Sequence, residues 1–388
     1  MNVKSGWSWT LYLFSLSLAL EIVLQGYYRV TTGTFLYHRD KPPIWVADPV
    51  SGWTNRPNLS YRHVTPEFAV DLHTNSQGFR VSQRHEEYSV EKPPHTYRIL
   101  LLGPSFAYGW GVDFEDTFGV QLQAMLVARG WAAGRSIEVL NHGVPGLPPV
   151  NEFDWFRNSG VDYSPDLVIH LAYGSLKISA EPNRSIVVTK EGHIHTDTTA
   201  KERMWSYAKR SATVFYTGIL FGQLARFSGI REQGRTIEGA GRPLQDDTNF
   251  DPESTSIIET MGFYQSFERA VRQTGAKFLV VYLPLSYIVH PQDRGRWMMQ
   301  GVEDIDGQVR FNQAFTARLN QEGIQCVNVT DALIDRAMRD AQRLYYWLDV
   351  HWTSEGNRLA ASVVTTHILN DISIDRDQVE LEPIAGMN

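Results

Sequence analysis

The sequence predicts an α/β fold in three layers, a parallel sheet with helices on both faces, and two features of the 388-residue chain carry that prediction. Five short, continuous apolar runs recur between about residues 98 and 329, each of the length and composition of a strand buried on both faces. Between them lie segments whose apolar residues are spaced three and four apart, and strands alternating with such helices make parallel crossovers. A third feature, an apolar stretch over residues 7–24, places a membrane-spanning helix ahead of this domain.

The runs are RILLLG (98–103), IEVLN (137–141), LVIHLA (167–172), KFLVVYL (277–283) and IQCVNV (324–329), and helices are expected over 117–129, 256–274 and 308–321. The main domain is thus read as 96–375. One stretch, 176–253, breaks the alternation. It opens with IVVTKEGHIHT, a hairpin turning at Glu191 and Gly192, and continues with an apolar helical segment over 204–227. It is expected to cap the sheet or to lie near the membrane. Residues 376–388 form an acidic C-terminal tail.

Residues 1–28 are read as an uncleaved anchor, with a signal peptide as the rival reading, because no convincing small-x-small cleavage site follows the apolar run. Trp7, Trp9, Tyr27 and Tyr28 flank the run as interfacial aromatics, and Glu21 is its one charge. Lys4 and the terminal amine favour a cytoplasmic N-terminus, with Arg29, Arg39 and Lys41 pulling the other way. The expectation is a single-pass protein of the cytoplasmic membrane, held by the bilayer through residues 7–24, with a periplasmic or extracellular main domain. Residues 29–95, broken by Pro42, Pro43, Pro49, Pro57 and Pro66, carry Trp45, Trp53, Tyr61 and Phe68. That much aromatic surface is too costly to leave in water, so this linker should pack on the main domain.

Composition excludes several classes. A net charge of −7 offers phosphate backbones no attraction, so nucleic acid is not a partner. Cys326 is the only cysteine, which forbids an intrachain disulfide and a CxxC metal site. Neither GxGxxG nor GxxxxGK[ST] follows a strand, so no nucleotide cofactor is expected. His193 and His195 share a face of the hairpin but lack further ligands, so no metal is expected either.

In open parallel sheets the working groups collect at the carboxyl ends of the strands. After the first run stands GPSFAYGWG, with Ser105 at a strand-to-helix turn where backbone N–H groups can face an oxyanion. The competing reading makes Ser105 a helix N-cap. Near the C-terminus, LDVHWTSEGN places Asp349 and His351 two apart, on one side of an extended loop. Such a pair can deprotonate a serine, the carboxylate fixing the imidazole tautomer; alternatively Asp349 is a turn residue and His351 packs beside Trp352. Tyr108 and Trp110 either line a sugar cleft or pack the turn.

Four blocks, GPSFAYGWGV, NHGVPG, YGSLK and DVHW, in this order over residues 97–370, resemble the SGNH (GDSL-type) hydrolase superfamily, and the Asp-x-His-Trp block is similar to enzymes that acetylate bacterial exopolysaccharides. The resemblance implies Ser105 as nucleophile, His351 as base, Asp349 as its orienter and Gly143 as an oxyanion donor. Two positions depart from the pattern. Pro104 replaces the acidic residue before the serine, and Ser175 stands where the third block has an oxyanion-binding Asn. Loss of such a donor costs about 2.7–4 kcal/mol of transition-state stabilisation, unless the Ser175 hydroxyl substitutes. Two functions follow as expectations: a membrane-anchored serine esterase or O-acyltransferase acting on acyl groups of an extracytoplasmic glycan, or a catalytically degenerate structural subunit docked on other integral membrane proteins.

Overall fold

The structure, a computed structural model, describes residues 3–32, 35–36, 42–65, 67–83, 86–132, 134–173, 186–196, 204, 208, 210–217, 220, 255–294, 305–340, 342–347 and 349–372. After an N-terminal helix, Val3–Thr32, five short strands follow: β1 Trp45–Asp48, β2 Gly52–Asn55, β3 Ser60–Val64, β4 Ala69–Thr74 and β5 Arg80–Val81. β1 and β2 form an antiparallel hairpin, and β3, β4 and β5 an antiparallel sheet.

The main sheet contains β6 Thr96–Gly103, β7 Ser136–Gly143, β8 Leu167–Tyr173, β11 Lys277–Leu283 and β12 Cys326–Asn328. All five are parallel, in the order β12-β11-β8-β6-β7. Successive side chains of a strand face opposite ways, and the two cores show it. Ile99 and Leu101 of β6 join Leu279 and Val281 of β11 on one face, under helices Phe118–Ala128, Thr330–Arg339 and Ser354–Asp371. Leu100, Leu102, Val280 and Tyr282 face the other way, under helices Pro149–Asn158, Thr255–Gln273 and Ile305–Gln321. Each such side chain taken fully from water contributes about 1.5–3 kcal/mol. The chain runs from β6 outward to β7, then crosses back to β8 on the other side of β6. The switch in direction opens a crevice at the carboxyl ends of β6 and β8.

The N-terminal segment lies on this carboxyl end. The Trp45 indole donates to Pro145 O at 2.8 Å and Asn55 Nδ2 to Gly143 O at 2.8 Å, both in the loop leaving β7. Trp45, Trp53 and Phe68 share a core with Tyr108 and Val144, which is why the aromatics of this linker are not in water.

The predicted hairpin is present as β9 Ile186–Val188 and β10 Ile194–Thr196. It rests on β1, with Trp45 N–H donating to Gly192 O at 3.2 Å and Arg56 Nη2 to Glu191 O at 2.5 Å. Of the expected helix over 204–227, a turn at 212–217 is described with isolated helical residues, and it meets the N-terminal helix. There Glu21 accepts bonds from Ser211 Oγ and from the N–H groups of Ala212 and Thr213, at 2.7–2.9 Å. The single charge in the apolar run is thereby satisfied by donors of the insertion. The rest of 176–253, and the tail 376–388, lie outside the described residues. The N-terminal helix is the one described helix long and apolar enough to cross a membrane, over Trp9–Val30. Trp9, Leu13, Phe14, Leu16 and Val23 on it are each more than half exposed.

Candidate active site

β6 ends at Gly103, whose φ of +145° is barred to residues with a side chain, and a Cβ there would meet Leu171 O at 2.9 Å. The chain then turns through Pro104 into a four-residue helix, Ser105–Tyr108, closed by Gly109 at φ +81°. Pro104 is the N-cap, with φ −78°. That value lies within proline's own range, and the position needs no N–H, so the departure from an acidic residue leaves the turn intact. Ser105 is the first helical residue, where the N–H has no partner within the helix.

The turn is seated from β7. Asn141 Nδ2 donates to Ala107 O at 2.7 Å, and its Oδ1 accepts the Gly143 N–H at 2.9 Å. Gly143, expected as an oxyanion donor, has its N–H on this side chain. A Cβ at this position would run into the backbone of Ala107 and Tyr108. Gly143 permits close approach of β7 to the serine turn. Ser175, the other expected oxyanion residue, lies outside the described residues.

His351 and Asp349 arrive on a loop that folds back on itself before the last helix. Thr353 N–H donates to Leu344 O at 3.0 Å, Tyr346 N–H donates to His351 O at 3.0 Å, and Tyr345 bridges to Trp352. The base of the loop is fixed from the end of β11. Tyr345 Oη donates to Pro284 O at 2.5 Å, and Leu344 N–H donates to His290 Nε2 at 3.2 Å. Burial, with Arg343 beside it and against the pull of Asp293, pushes the His290 pKa down to about 4, so its acceptor nitrogen stays unprotonated.

The structure brings the three reactive side chains together. His351 Nε2 lies 2.5 Å from Ser105 Oγ, and His351 Nδ1 is hydrogen-bonded to Asp349 Oδ1. Asp349 Oδ1 also accepts the His351 N–H at 3.0 Å. The indole of Trp110 donates to Asp349 Oδ2 at 3.3 Å, and its ring lies 5.7 Å from the imidazole. Burial by itself would raise the Asp349 carboxyl. The charge of His351, its two hydrogen bonds and the Trp110 indole outweigh that and hold the pKa at about 2. The Phe106 ring also lies against the imidazole, ring centroids 4.9 Å apart.

The neighbouring aromatics take different places. Tyr108 is fully buried and packs the turn, beneath the Arg80 guanidinium at 5.4 Å. Trp110 does more than pack the turn: its indole binds the carboxylate. Sequence reading also missed Glu67, whose carboxylate accepts the N–H groups of Trp347 and Asp349 at 2.5 and 2.7 Å. Its only sequence signal is an acid beside Pro66 in an aromatic linker, which by itself indicates a turn. Among the described residues no group of three or more His, Cys, Asp or Glu could hold an ion. His193 sits beside the hairpin turn, its N–H on Thr189 Oγ1 at 3.3 Å, and the side chain of His195 lies outside the described residues.

A serine after the first parallel strand and an Asp-x-His pair before the last helix, meeting at the switch point of a five-stranded sheet, give the main domain an SGNH hydrolase-like fold. Within it, residues 245–386 match the family model of the SGNH hydrolase-like domain, acetyltransferase AlgX; that stretch holds Asp349 and His351 but not Ser105. Over the whole sequence, no curated protein matches. Solved structures with a similar outline include an acetyl xylan esterase, AlAXEase (10% identical, covering 70% of this chain and 100% of that one, TM-score 0.38). Others are a GDSL-like lipase from Bacteroides thetaiotaomicron VPI-5482 (12%, 72% and 91%, 0.36) and a lipase/acylhydrolase from Enterococcus faecalis (12%, 70% and 95%, 0.36). These likenesses concern the fold and not the substrate.

Proposed function

We propose that this chain is a membrane-anchored serine enzyme that cleaves or transfers O-linked acyl groups of a glycan on the outer side of the cytoplasmic membrane. The observation that carries the reading is the Ser105 Oγ to His351 Nε2 distance of 2.5 Å, with Asp349 bonded behind the imidazole. A hydroxyl is a poor nucleophile until a base takes its proton, and an imidazole serves as that base only if its other nitrogen keeps the N–H. Asp349, ionised down to about pH 2, accepts that N–H and holds the tautomer.

In the first half-reaction Ser105 Oγ attacks the acyl carbonyl carbon while His351 Nε2 takes the hydroxyl proton. The tetrahedral oxyanion faces the turn, where the N–H of Ser105 is the donor the geometry offers. Collapse breaks the bond to the alcohol oxygen, which leaves with the proton from His351, and Ser105 keeps the acyl group as an ester. In the second half-reaction a hydroxyl, of water or of a sugar, gives its proton to His351 and attacks the ester, restoring the serine. Water gives hydrolysis and a sugar gives transfer.

The glycan is supported by the match to an acetyltransferase family and by the Asp-x-His-Trp block. The outer location is supported by one exposed apolar helix, flanked by aromatics and preceded by Lys4. The assembled side chains favour an enzyme over a degenerate scaffold. Wild-type protein and Ser105→Ala are to be compared for nitrophenyl acetate turnover and for labelling by a fluorophosphonate. The variant should lose labelling altogether and turnover by about 10³-fold or more. Equal behaviour of the two proteins would remove the serine from the chemistry.

A further inference from the structure

We propose that Glu67, on the β3–β4 turn of the N-terminal segment, is a positioning residue of the reaction: its carboxylate grips the loop that carries Asp349 and His351 and holds it where Ser105 needs it. The inference deepens the serine-enzyme reading and rests on it. Glu67 Oε1 accepts the Trp347 N–H at 2.5 Å, and Oε2 accepts the Asp349 N–H at 2.7 Å. The loop's own rungs, Leu344 with Thr353 and Tyr346 with His351, end just before this tip. Beyond them the direction of the Asp349 side chain depends on what binds the tip's backbone.

Glu67 is itself held firmly. Thr65 Oγ1 accepts the N–H groups of Glu67 and Phe68 at 3.2 Å, and Thr65 N–H donates to Phe68 O at 2.8 Å. The Phe68 ring lies 5.1 Å from that of Tyr346, whose hydroxyl donates to Gly111 O at 2.7 Å, close to the serine turn. The β3–β4 hairpin, the Asp-x-His loop and the segment after Ser105 are thus locked at one place. A carboxylate suits the task for a specific reason: two N–H donors call for two acceptor oxygens, and charged acceptors make the stronger bonds. Glutamine offers one oxygen and turns an NH₂ group toward the second donor. Alanine offers none.

Full-length wild type, Glu67→Gln and Glu67→Ala are to be compared in detergent by two measurements. The first is inactivation by a fluorophosphonate, separated into the maximal rate and the half-saturating concentration. Displacement of the base slows the chemistry without touching the acyl-binding surface. The maximal rate should therefore fall about tenfold in Glu67→Gln and about a hundredfold in Glu67→Ala, with half-saturation unchanged within about twofold. The second is amide hydrogen exchange, which should accelerate at Trp347 and Asp349 and stay unchanged in β6 and β11. Wild-type rates in both variants would overturn the proposal. So would a loss shared equally with half-saturation, or protection lost throughout the sheet, since either marks a merely structural role. If the wild type itself does not react with the probe, the serine-enzyme reading fails separately, and exchange alone decides: unchanged exchange at the two amides overturns the grip of Glu67, and faster exchange confined to them upholds it.

Discussion

Two side chains bind the same carboxylate of Asp349, on different oxygens, and they do different work. Oδ1 holds the imidazole, while Oδ2 takes the Trp110 indole at 3.3 Å. Asp349→Asn keeps the shape but puts an amide N–H or a neutral oxygen opposite His351 Nδ1, freeing the wrong tautomer. Ester turnover should fall by about 10³–10⁴-fold with little change in melting temperature. Trp110→Phe keeps the ring beside His351 and removes one neutral-to-charged hydrogen bond. Its loss should be about fivefold, the equivalent of about 1 kcal/mol, measured on the same ester. A ranking in which Trp110→Phe matches Asp349→Asn would mean that the indole touches substrate. The sequence showed both residues but could not pair them, because 239 positions separate them and no periodicity spans such a distance.

At the scale of elements, the serine turn is set by how closely β7 approaches it. Gly143→Ala drives a methyl into the backbone of Ala107 and Tyr108, where nothing flexible can yield. Overpacking of this kind costs about 1–3 kcal/mol, and here it also tilts Ser105. Melting temperature and ester turnover should both fall, with fluorophosphonate labelling slowed. Next to it on β7, His142 lies flat against Trp155, rings 3.4 Å apart, and burial, opposed by the charge of Asp48, pushes its pKa down to about 3. Unfolding returns it to about 6.5, so between about pH 3 and 6.5 the unfolded chain binds the extra proton. The folded state is therefore favoured at higher pH and loses stability as pH drops through this window, by at most about 1.4 kcal/mol per unit from this one group. Urea denaturation at pH 7 and pH 5 should show His142→Phe less sensitive to pH than wild type by that increment. Equal sensitivity would mean that His142 is not the buried neutral base.

The whole molecule joins an apolar helix, a wrapped N-terminal segment and a parallel-sheet domain, with the insertion touching the first two. Glu21 links the helix to the insertion, and Trp45 and Asn55 link the wrapped segment to the loop after β7. An exposed apolar helix of this length is stable when lipid covers it. Leu16→Arg places a charge in the middle of the Trp9–Val30 stretch, at a cost of about 2.5–3.5 kcal/mol in a membrane and almost nothing in water. The variant should leave the carbonate-resistant membrane fraction while its detergent-extracted form keeps labelling at the wild-type rate. Retention in that fraction would count against insertion.

Local composition was enough to determine the parallel α/β layers and the apolar N-terminal helix, because strand burial is written within a few residues of each position, while Ser105, Asp349 and His351 were legible as candidates through the four blocks that resemble a known superfamily. Helices Pro149–Asn158 and Thr330–Arg339 went unseen: the first opens on Pro148 and Pro149, which read as a loop, and the second spans only ten residues, half of them polar. The uses of Gly143, Trp110 and Glu67 were decided by tertiary structure alone. Each depends on which loops the sheet order and its crossovers carry to the same edge, and Glu67 reaches a loop 282 residues away. A hydrogen bond across that distance is fixed by where the backbones meet in space, and the spacing of residues along the chain holds no record of it.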